Sequence, residues 1–243
     1  MSDIEHFRKF IEKVYLNNEI DKAIIVVEDG VTTCNVFIQH RMFGCDVVMD
    51  NNVLNVDNTK IAVVNMEVLY KMIKAFPEDI EILYKTRSSK APHHLRFQND
   101  MIQSQFILGK ERAVDNYKKL NLTKIKDWLF DLDFTDYLDQ YRSYENVLKS
   151  YETFYFSNER GSVQLNFGGL KQSSENIITI DLKIKPDVSF SDTILFNKNL
   201  FNEAIKANKE SKMHLRVSKK LYELSCEEDN FTAKYYNTKS KNQ

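Results

Sequence analysis

Apolar residues recur at helical spacing in four segments of the chain. Residues 4–15, 65–76 and 198–208 place apolar side chains three or four positions apart, which gives each segment one apolar face. A looser version of this spacing covers 134–148. Pro77 ends the second segment, because proline has no backbone N–H for the next helical hydrogen bond. The pattern therefore predicts four amphipathic helices.

Alternating apolar and polar residues predict strands between these helices. The segment 23–38 contains Asp29-Gly30, a pair favoured in tight hairpin turns, so two antiparallel strands are expected there. Residues 151–167 repeat this arrangement around Arg160-Gly161. Further strands are predicted at 45–50, 53–63, 79–86, 94–108, 126–133, 177–184, 213–217, 220–227 and 230–236.

The chain contains one part of this pattern twice. Pairing Asn65 with Asn197 superimposes the helix at 65–76 on the helix at 198–208, and each helix leads into an alternating strand. The same register pairs Leu69 with Phe201, Met72 with Ala204, Ile73 with Ile205, Lys74 with Lys206 and Ala75 with Ala207. A repeat at about half the chain length indicates two similar domains that arose by duplication.

The boundary between the two domains is predicted from a loss of pattern. Residues 109–125 are mixed and charged and do not alternate, which is typical of a connector. We therefore expect a first domain at 1–108, the connector at 109–125 and a second domain at 126–243. The expected fold class is α+β, in which each domain combines antiparallel sheets with two helices.

Composition limits the classes of protein that remain. The 243 residues are 42% hydrophobic and 12% aromatic, which argues against wholesale disorder. No apolar run approaches the roughly 20 residues of a membrane-spanning helix, and no signal peptide is recognisable, so we expect a cytoplasmic protein without a membrane partner. Cys34, Cys45 and Cys226 are widely spaced, so buried thiols are expected, with no disulfide framework and no metal site.

The charges are balanced, so their positions matter more than their sum. The 34 basic and 35 acidic side chains give a net charge of −1, which provides no general attraction to phosphate. Basic residues nevertheless occur on or beside the polar face of every predicted helix, and such residues can contact DNA phosphates without recognising bases. These candidate DNA-binding residues are Lys9, Lys13, Lys71, Lys74, Arg142, Lys149, Lys206 and Lys209. The alternative is that they are ordinary solvated helix faces.

Two segments carry a resemblance to a known family. The stretch VNMEVLYKMIKAFPEDIEI contains Val64-Asn65, the helix Lys71-Met72-Ile73-Lys74, an acidic turn and an alternating strand. It resembles the equivalent stretch of DNA sliding clamps of the proliferating-cell-nuclear-antigen type. The final segment FTAKYYN at 231–237 is similar to the Lys-Tyr-Tyr strand with which such clamps often finish. The order of elements, the connector and the length also agree, so the resemblance covers nearly the whole chain.

The resemblance implies a DNA-clamp fold and a role in replication. Three chains would close head to tail into a homotrimeric ring around duplex DNA, with helices lining the hole and edge strands pairing between chains. The ring would tether DNA polymerase and other replication proteins, and a clamp loader would place it on DNA. Peptide tails of the polymerase and of the clamp loader would bind in an apolar pocket beneath the connector at 109–125. It would act as a processivity factor without catalytic residues, cofactor or metal. The Asn-, Lys- and Ile-rich composition is more typical of a phage or viral clamp, for which the location is the host cytoplasm.

The candidate basic residues match DNA-facing positions of the family to different degrees. Lys71 and Lys74 match DNA-facing residues of the family position for position, whereas Lys9 and Lys206 match approximately. Arg142 and Lys149 match only to within a few residues. Two departures stand out. Glu203 occupies the position of Lys71 in the second copy, which predicts an unevenly basic inner wall, and the first domain has no clear strand before its first helix.

Three other classes of protein remain as alternatives. One is a clamp-fold paralogue without a processivity role, and another is an unrelated tandem-domain interaction protein. An enzyme is the third, but its motifs are missing and the histidines are scattered. These histidines are His6, His40, His93, His94 and His214. Retention on circular DNA would separate a working clamp from the first two classes, and a deep pocket with convergent titratable groups would favour the enzyme.

Overall fold

The chain divides into two compact units in a computed structural model. The first unit comprises Met1–Leu120 with Glu228–Ala233, and the second comprises Asn121–Glu227 with Lys234–Gln243. The structure describes residues 2–38, 43–56, 58–86, 93–114, 127–159, 161–168, 176–188, 190–191 and 193–239. Most of the predicted connector and Arg160 of the second hairpin turn lie outside the described residues.

The first unit contains two helices and two antiparallel sheets. The strand orders are β4-β1-β2-β3 and β5-β6-β7. The elements are α1 (Asp3–Tyr15), β1 (Ala23–Glu28), β2 (Val31–Ile38), β3 (Phe43–Met49), β4 (Thr59–Val63), α2 (Met66–Ala75), β5 (Glu81–Lys85), β6 (His94–Gln98) and β7 (Gln103–Ile107).

The second unit repeats this arrangement and adds one strand. The strand orders are β12-β9-β10-β11, which repeats β4-β1-β2-β3, and β8-β13-β14-β15, in which β8 has no counterpart among the described residues of the first unit. The elements are β8 (Trp128–Asp133), α3 (Leu138–Ser143), α4 (Glu145–Leu148), β9 (Thr153–Glu159), β10 (Ser162–Phe167), β11 (Ile178–Asp181), β12 (Ile194–Asn197), α5 (Lys198–Ala207), β13 (Lys212–Ser218), β14 (Leu221–Glu228) and β15 (Phe231–Thr238). The end of β14 and the start of β15, within Glu228–Ala233, count with the first unit. The predicted α+β class and its duplication are confirmed.

The repeated asparagines begin the repeated helices. The Asn65 side chain accepts a hydrogen bond of 3.0 Å from the backbone N–H of Val68, and Asn197 accepts one of 2.8 Å from Asn199. Each bond satisfies a backbone donor that the first helical turn leaves unpaired. The duplication therefore preserves the residue that starts α2 and α5.

Three predicted elements are shorter or more broken than the sequence pattern indicates. The strand predicted at 53–63 is confined to β4, because Asn55 and Asn58 have φ angles of 50° and 49° in the left-handed region. The strand predicted at 177–184 likewise ends before Lys183, whose φ is 50°. The helix predicted at 134–148 is divided into a 3₁₀ turn, α3 and α4.

The strand predicted at 94–108 is a hairpin of β6 and β7. Its turn is formed around Asn99, whose side-chain oxygen accepts hydrogen bonds from the backbone N–H groups of Met101 and Ile102 at 3.0 and 2.7 Å. Such a side-chain bond stabilises a turn in place of a continuous strand.

The buried thiols are where the sequence predicted them. Cys34, Cys45 and Cys226 are all buried and unbridged. Burial raises the pKa of the Cys34 thiol, and the nearby Asp46 carboxylate raises it further. These cysteines pack as small apolar side chains.

Candidate DNA-contacting helices

The exposed face of α2 presents two lysines. Lys71 has 70% of its side chain exposed, and its Nζ lies 2.5 Å from Oε1 of Glu67, one helical turn earlier. The hydrogen bond that Lys71 donates to the Glu67 carboxylate raises the pKa of Lys71, so this lysine is charged at neutral pH. Lys74 is also exposed, and its Nζ lies 5.5 Å from the centre of the Tyr70 ring. Contacts of this kind at an exposed surface are weak, so both ammonium groups are available to a phosphate.

On α5, the charge of the corresponding lysine is compensated by two carboxylates. The Nζ of Lys206 lies 3.1 Å from Glu203 and 3.4 Å from Glu145, and 42% of its side chain is exposed. Partial burial lowers the pKa of Lys206, but the hydrogen bonds and charges of the two carboxylates raise it by more. A phosphate that approaches Lys206 therefore also meets two acidic groups.

Arg142 has a structural role that the sequence analysis missed. Its Nη2 donates a hydrogen bond of 2.7 Å to the carbonyl oxygen of Lys209, just beyond the end of α5. Arg8 does the same in the first unit, where it donates to the carbonyl oxygens of Ile73 and Phe76 at 3.3 and 3.0 Å. Each arginine thus satisfies carbonyls at the end of the repeated helix and complements its dipole.

The expectation that Lys13 is an outward-facing residue is wrong. Only 2% of the Lys13 side chain is exposed, and its Nζ lies 3.1 Å from Oε2 of Glu228 and 5.5 Å from the centre of the Phe231 ring. The segment 228–233, which belongs to the first unit, covers this part of α1. Lys13 therefore contributes to the interior.

Lys9 shares the same carboxylate. Its Nζ lies 2.6 Å from Oε1 of Glu228, and 29% of its side chain is exposed. Burial raises the pKa of the Glu228 carboxyl, but the contacts with Lys9 and Lys13 lower it by more, so its net pKa is below the ordinary value. Lys9 therefore lies at the surface with its charge compensated.

The remaining candidates are exposed. Lys149 follows α4 and donates a hydrogen bond of 2.9 Å to the side-chain oxygen of Asn146. Lys209 follows α5. Among the eight candidates, four lysines are exposed and have a charge that is at most weakly compensated by the contacts described above: Lys71, Lys74, Lys149 and Lys209.

Both units also expose sheet edges with apolar side chains nearby. β7 is an outer strand of the first unit, and Ile107 at its end is 53% exposed. β11 is an outer strand of the second unit, and Ile177 immediately before it is 54% exposed. Outer strands present backbone donors and acceptors that can pair with another chain.

Two further observations cover the described part of the chain. It contains no cluster of three or more His, Cys, Asp or Glu residues placed to hold a metal ion. It also contains no helix that is long and apolar enough to cross a membrane.

The repeated order of antiparallel strands and helices defines the DNA-clamp fold, and solved structures show the same fold. The chain is similar to proliferating cellular nuclear antigen from Entamoeba histolytica, with a TM-score of 0.69 at 12% identity over 98% of this chain and 96% of that one. It is similar to PCNA of A. fulgidus, solved with the C-terminal region of FEN-1, with a TM-score of 0.71 at 10% identity over 100% and 98% of the two chains.

A third similar structure is the PCNA2–PCNA3 complex from Sulfolobus tokodaii, with a TM-score of 0.67 at 12% identity over 98% of this chain and 97% of the matched chain. No family model matches the sequence, and no curated protein matches it. The resemblance inferred from the sequence is therefore confirmed as a likeness of fold across the whole chain.

Proposed function

We propose that this protein is a DNA sliding clamp, a processivity factor that encircles duplex DNA as a homotrimeric ring. The observation that carries the proposal is the full-length match to clamps, which covers 98–100% of this chain and 96–98% of the matched chains. A fold match of this extent includes both units.

The exposed lysines of the helices support a sequence-independent contact with DNA. Lys71 and Lys74 supply the main attraction, with Lys149 and Lys209 as further contacts. Lysines on a helix face bind phosphate oxygens without recognising bases, which gives weak attraction that falls with salt concentration. Neighbouring carboxylates such as Glu67 weaken the attraction further, which suits a surface that slides.

The exposed sheet edges support assembly of the ring. β7 of one chain would pair with β11 of the next, and Ile107 and Ile177 would be buried at the contact. Two different surfaces that meet in this way form a head-to-tail contact, which closes into a ring when the rotation per chain is right. The pairing would also satisfy the backbone groups of both edges.

DNA polymerase and a clamp loader are the proposed partners. Their peptide tails would bind beneath the connector at 109–125, of which 115–125 lies outside the described residues. Support comes from the A. fulgidus structure, in which PCNA holds the C-terminal region of FEN-1. The clamp would raise processivity by confinement, because a polymerase tied to a closed ring cannot diffuse away from DNA.

The decisive experiment is topological. We expect a clamp loader with ATP to place the protein on nicked circular DNA, and we expect linearisation of that DNA to release it. The mass in solution should be near three times the chain mass of 28.6 kDa. A concentration-independent monomer, or retention that is the same on linear and circular DNA, would contradict the proposal.

A further inference from the structure

One helical stripe is buried in the first unit and exposed in the second. On α1, His6, Phe10 and Lys13 lie on one face, because they are four and three positions apart. Their exposed fractions are only 8%, 0% and 2%. We call these three residues the α1 stripe. A lysine is almost never buried to this extent unless a partner covers it.

The equivalent stripe of the second unit lies on α3 and α4. Arg8 and Arg142 are equivalent residues, because each binds carbonyl oxygens at the end of its repeated helix. Tyr144, between α3 and α4, keeps right-handed helical angles (φ −95°, ψ −2°), so the register continues through the break. The register of the two arginines pairs the α1 stripe with an exposed set, which we call the α3–α4 stripe: Gln140, Tyr144 and Val147. Tyr144 is 38% exposed and Val147 is 52% exposed.

The turn between β14 and β15, at 228–231, covers the α1 stripe. Oε2 of Glu228 lies 3.1 Å from Nζ of Lys13. The Phe231 ring has its centre 5.5 Å from the same Nζ and stacks on the His6 ring with the two centres 6.1 Å apart. All of these residues belong to the first unit. A charged and aromatic turn therefore covers a charged and aromatic stripe.

The turn between β6 and β7, at 99–102, occupies the same place in the repeat. The strands β5-β6-β7 correspond to β13-β14-β15, because each set follows the repeated helix. Met101 in this turn is 88% exposed, more than any other large apolar side chain that the structure describes. The hydrogen bonds to the Asn99 side chain fix the backbone around it. An apolar side chain exposed to this extent is stabilised by burial against another apolar surface.

The two turns differ in the same way as the two stripes. In the second unit Val147 stands in place of Lys13, so a carboxylate such as that of Glu228 would meet no ammonium group there. A methionine side chain is flexible and packs favourably against aliphatic and aromatic groups. Met101 therefore suits the α3–α4 stripe as Glu228 suits the α1 stripe.

The covering turn of the first unit is also joined to the end of a strand. The backbone N–H of Asp50, just after β3, donates a hydrogen bond of 2.9 Å to the carbonyl oxygen of Asn230 in the β14–β15 turn. In the repeat, β11 corresponds to β3 and β7 corresponds to β15. If β7 of one chain pairs with β11 of the next, the β6–β7 turn of the first chain is therefore brought to the α3–α4 stripe of the next.

We propose that the β6–β7 turn of one chain packs on the α3–α4 stripe of a second copy, with Met101 against Tyr144 and Val147. This inference rests on the proposed ring and adds a helix contact to its strand pairing. Backbone hydrogen bonds between edge strands supply affinity, whereas side-chain contacts supply specificity. The contact therefore helps to select copies of this chain as neighbours in the ring.

Chemical cross-linking of the double variant Met101→Cys/Val147→Cys tests the contact directly. The native thiols are buried, so a short bis-maleimide should react at the two introduced positions. Denaturing electrophoresis should show species at two and three times the chain mass of 28.6 kDa, whereas either single variant should show the single chain alone.

The native mass separates failure of this contact from failure of the ring. A trimer that gives no covalent dimer would mean that another partner, or none, covers the α3–α4 stripe, which overturns this proposal and leaves the ring in place. A monomer at every concentration would contradict both.

A matched pair of valines tests the contribution of the contact to assembly. Val147→Asp would bury a charge at the contact and should raise the concentration at which the trimer dissociates by at least about tenfold. Val188→Asp is the control, because Val188 is also 52% exposed in the second unit and lies outside the stripe. Both side chains are exposed in the single chain, so thermal unfolding of the two monomers should be similar. Equal dissociation of the two variants would overturn the proposal.

A charge pair tests whether the two positions meet. Met101→Glu and Val147→Lys place on the two surfaces the residue types of Glu228 and Lys13. Each change alone should weaken assembly, and the double variant should assemble at least about twofold better than the two single losses predict, because the carboxylate then meets an ammonium group. Losses that simply add would show that the two positions are apart and would overturn the proposal.

Discussion

On α2, Lys71 contacts one carboxylate and Lys74 lies over an aromatic ring, whereas on α5 the corresponding lysine, Lys206, lies between Glu203 and Glu145. The two helices otherwise share their construction: an asparagine begins each one, and an arginine from another helix binds carbonyls at its end. The duplication has thus preserved the residues that build the helices while the exposed charges have diverged. Under the proposed function, the two faces should therefore differ in how strongly they attract DNA.

The interiors of the two units show a related difference. The second unit contains a connected group of aromatic rings, in which Phe154 and Phe201 have centres 4.9 Å apart and Phe196 and Tyr222 have centres 5.1 Å apart. The described core of the first unit is mainly aliphatic, and no described strand pairs with the outer side of β5. The two units therefore differ in the side chains that build their described cores.

Charge reversal on α2 should have the largest effect of any change considered. Lys71→Glu with Lys74→Glu replaces two exposed cations in each chain by anions, which should reduce loading on circular DNA by more than about tenfold. The solution mass should not change, because neither lysine is part of β7 or β11. Processive synthesis at the normal level with this double variant would show that α2 does not face DNA.

Two buried lysines, one in each unit, have different partners. Lys13 lies against the Glu228 carboxylate, whereas Lys198 of the second unit donates a hydrogen bond of 2.5 Å to the carbonyl oxygen of Leu148. Lys13→Met should lower the free energy of unfolding by about 2 kcal/mol, because it removes the buried ammonium group that pairs with the Glu228 carboxylate.

Lys198→Met is the matched control for that change. Burial lowers the pKa of Lys198, which shows that its charged form is disfavoured where it lies. Removal of this charge offsets the lost hydrogen bond, so we expect a change within about 1 kcal/mol. Denaturant unfolding of both variants tests the contrast, and an equal loss of stability in the two would contradict it.

The helix-capping arginines allow a closer comparison of the two units. Arg8 donates to two carbonyls and Arg142 to one. Arg8→Ala should therefore cost about 2 kcal/mol and Arg142→Ala about 1 kcal/mol of stability. Thermal unfolding measures both. A loss of DNA loading by Arg142→Ala at unchanged stability would instead assign Arg142 to DNA contact.

Much of the fold could be predicted from the chain, because helical periodicity and strand alternation depend on neighbouring residues. The exceptions are local backbone choices. Asn55, Asn58 and Lys183 adopt left-handed conformations that end strands, and the alternation of apolar residues does not indicate this. The repeat at Asn65 and Asn197 was visible in sequence, whereas its cause, the capping of a helix, required the structure.

The candidate site was harder to predict, because exposure depends on residues that are distant in sequence. Lys13 and its partner Glu228 are 215 positions apart, and Arg142 and its acceptor at Lys209 are 67 positions apart. A helical wheel places both basic residues on a polar face and gives no information about what covers that face. The exposure of Lys71 and Lys74 was easier to predict, since the contacts of these lysines lie within one helical turn.

The pH dependence of stability tests the buried pair in the first unit. The pKa of Glu228 is lowered from its ordinary value of 4.5, so the folded state holds the charged form more tightly than the unfolded state does. The resulting stabilisation is present above pH 4.5 and is lost as pH falls through the lowered pKa. The stability difference between the wild type and Glu228→Gln should therefore shrink on acidification below pH 4.5. A difference that is constant from pH 7 to pH 3 would exclude this contribution.

Replacement of Lys206 should have the smallest effect and provides the sharpest test of the comparison between α2 and α5. Its charge is already balanced by Glu203 and Glu145, so Lys206→Ala removes little net attraction and should change loading by less than about twofold. Lys74→Ala is the matched change on α2, and it should reduce loading more and flatten the salt dependence of DNA binding. If the two alanine variants lose the same amount, the carboxylates beside Lys206 do not weaken its contact with DNA, and both copies of the repeat contribute equally.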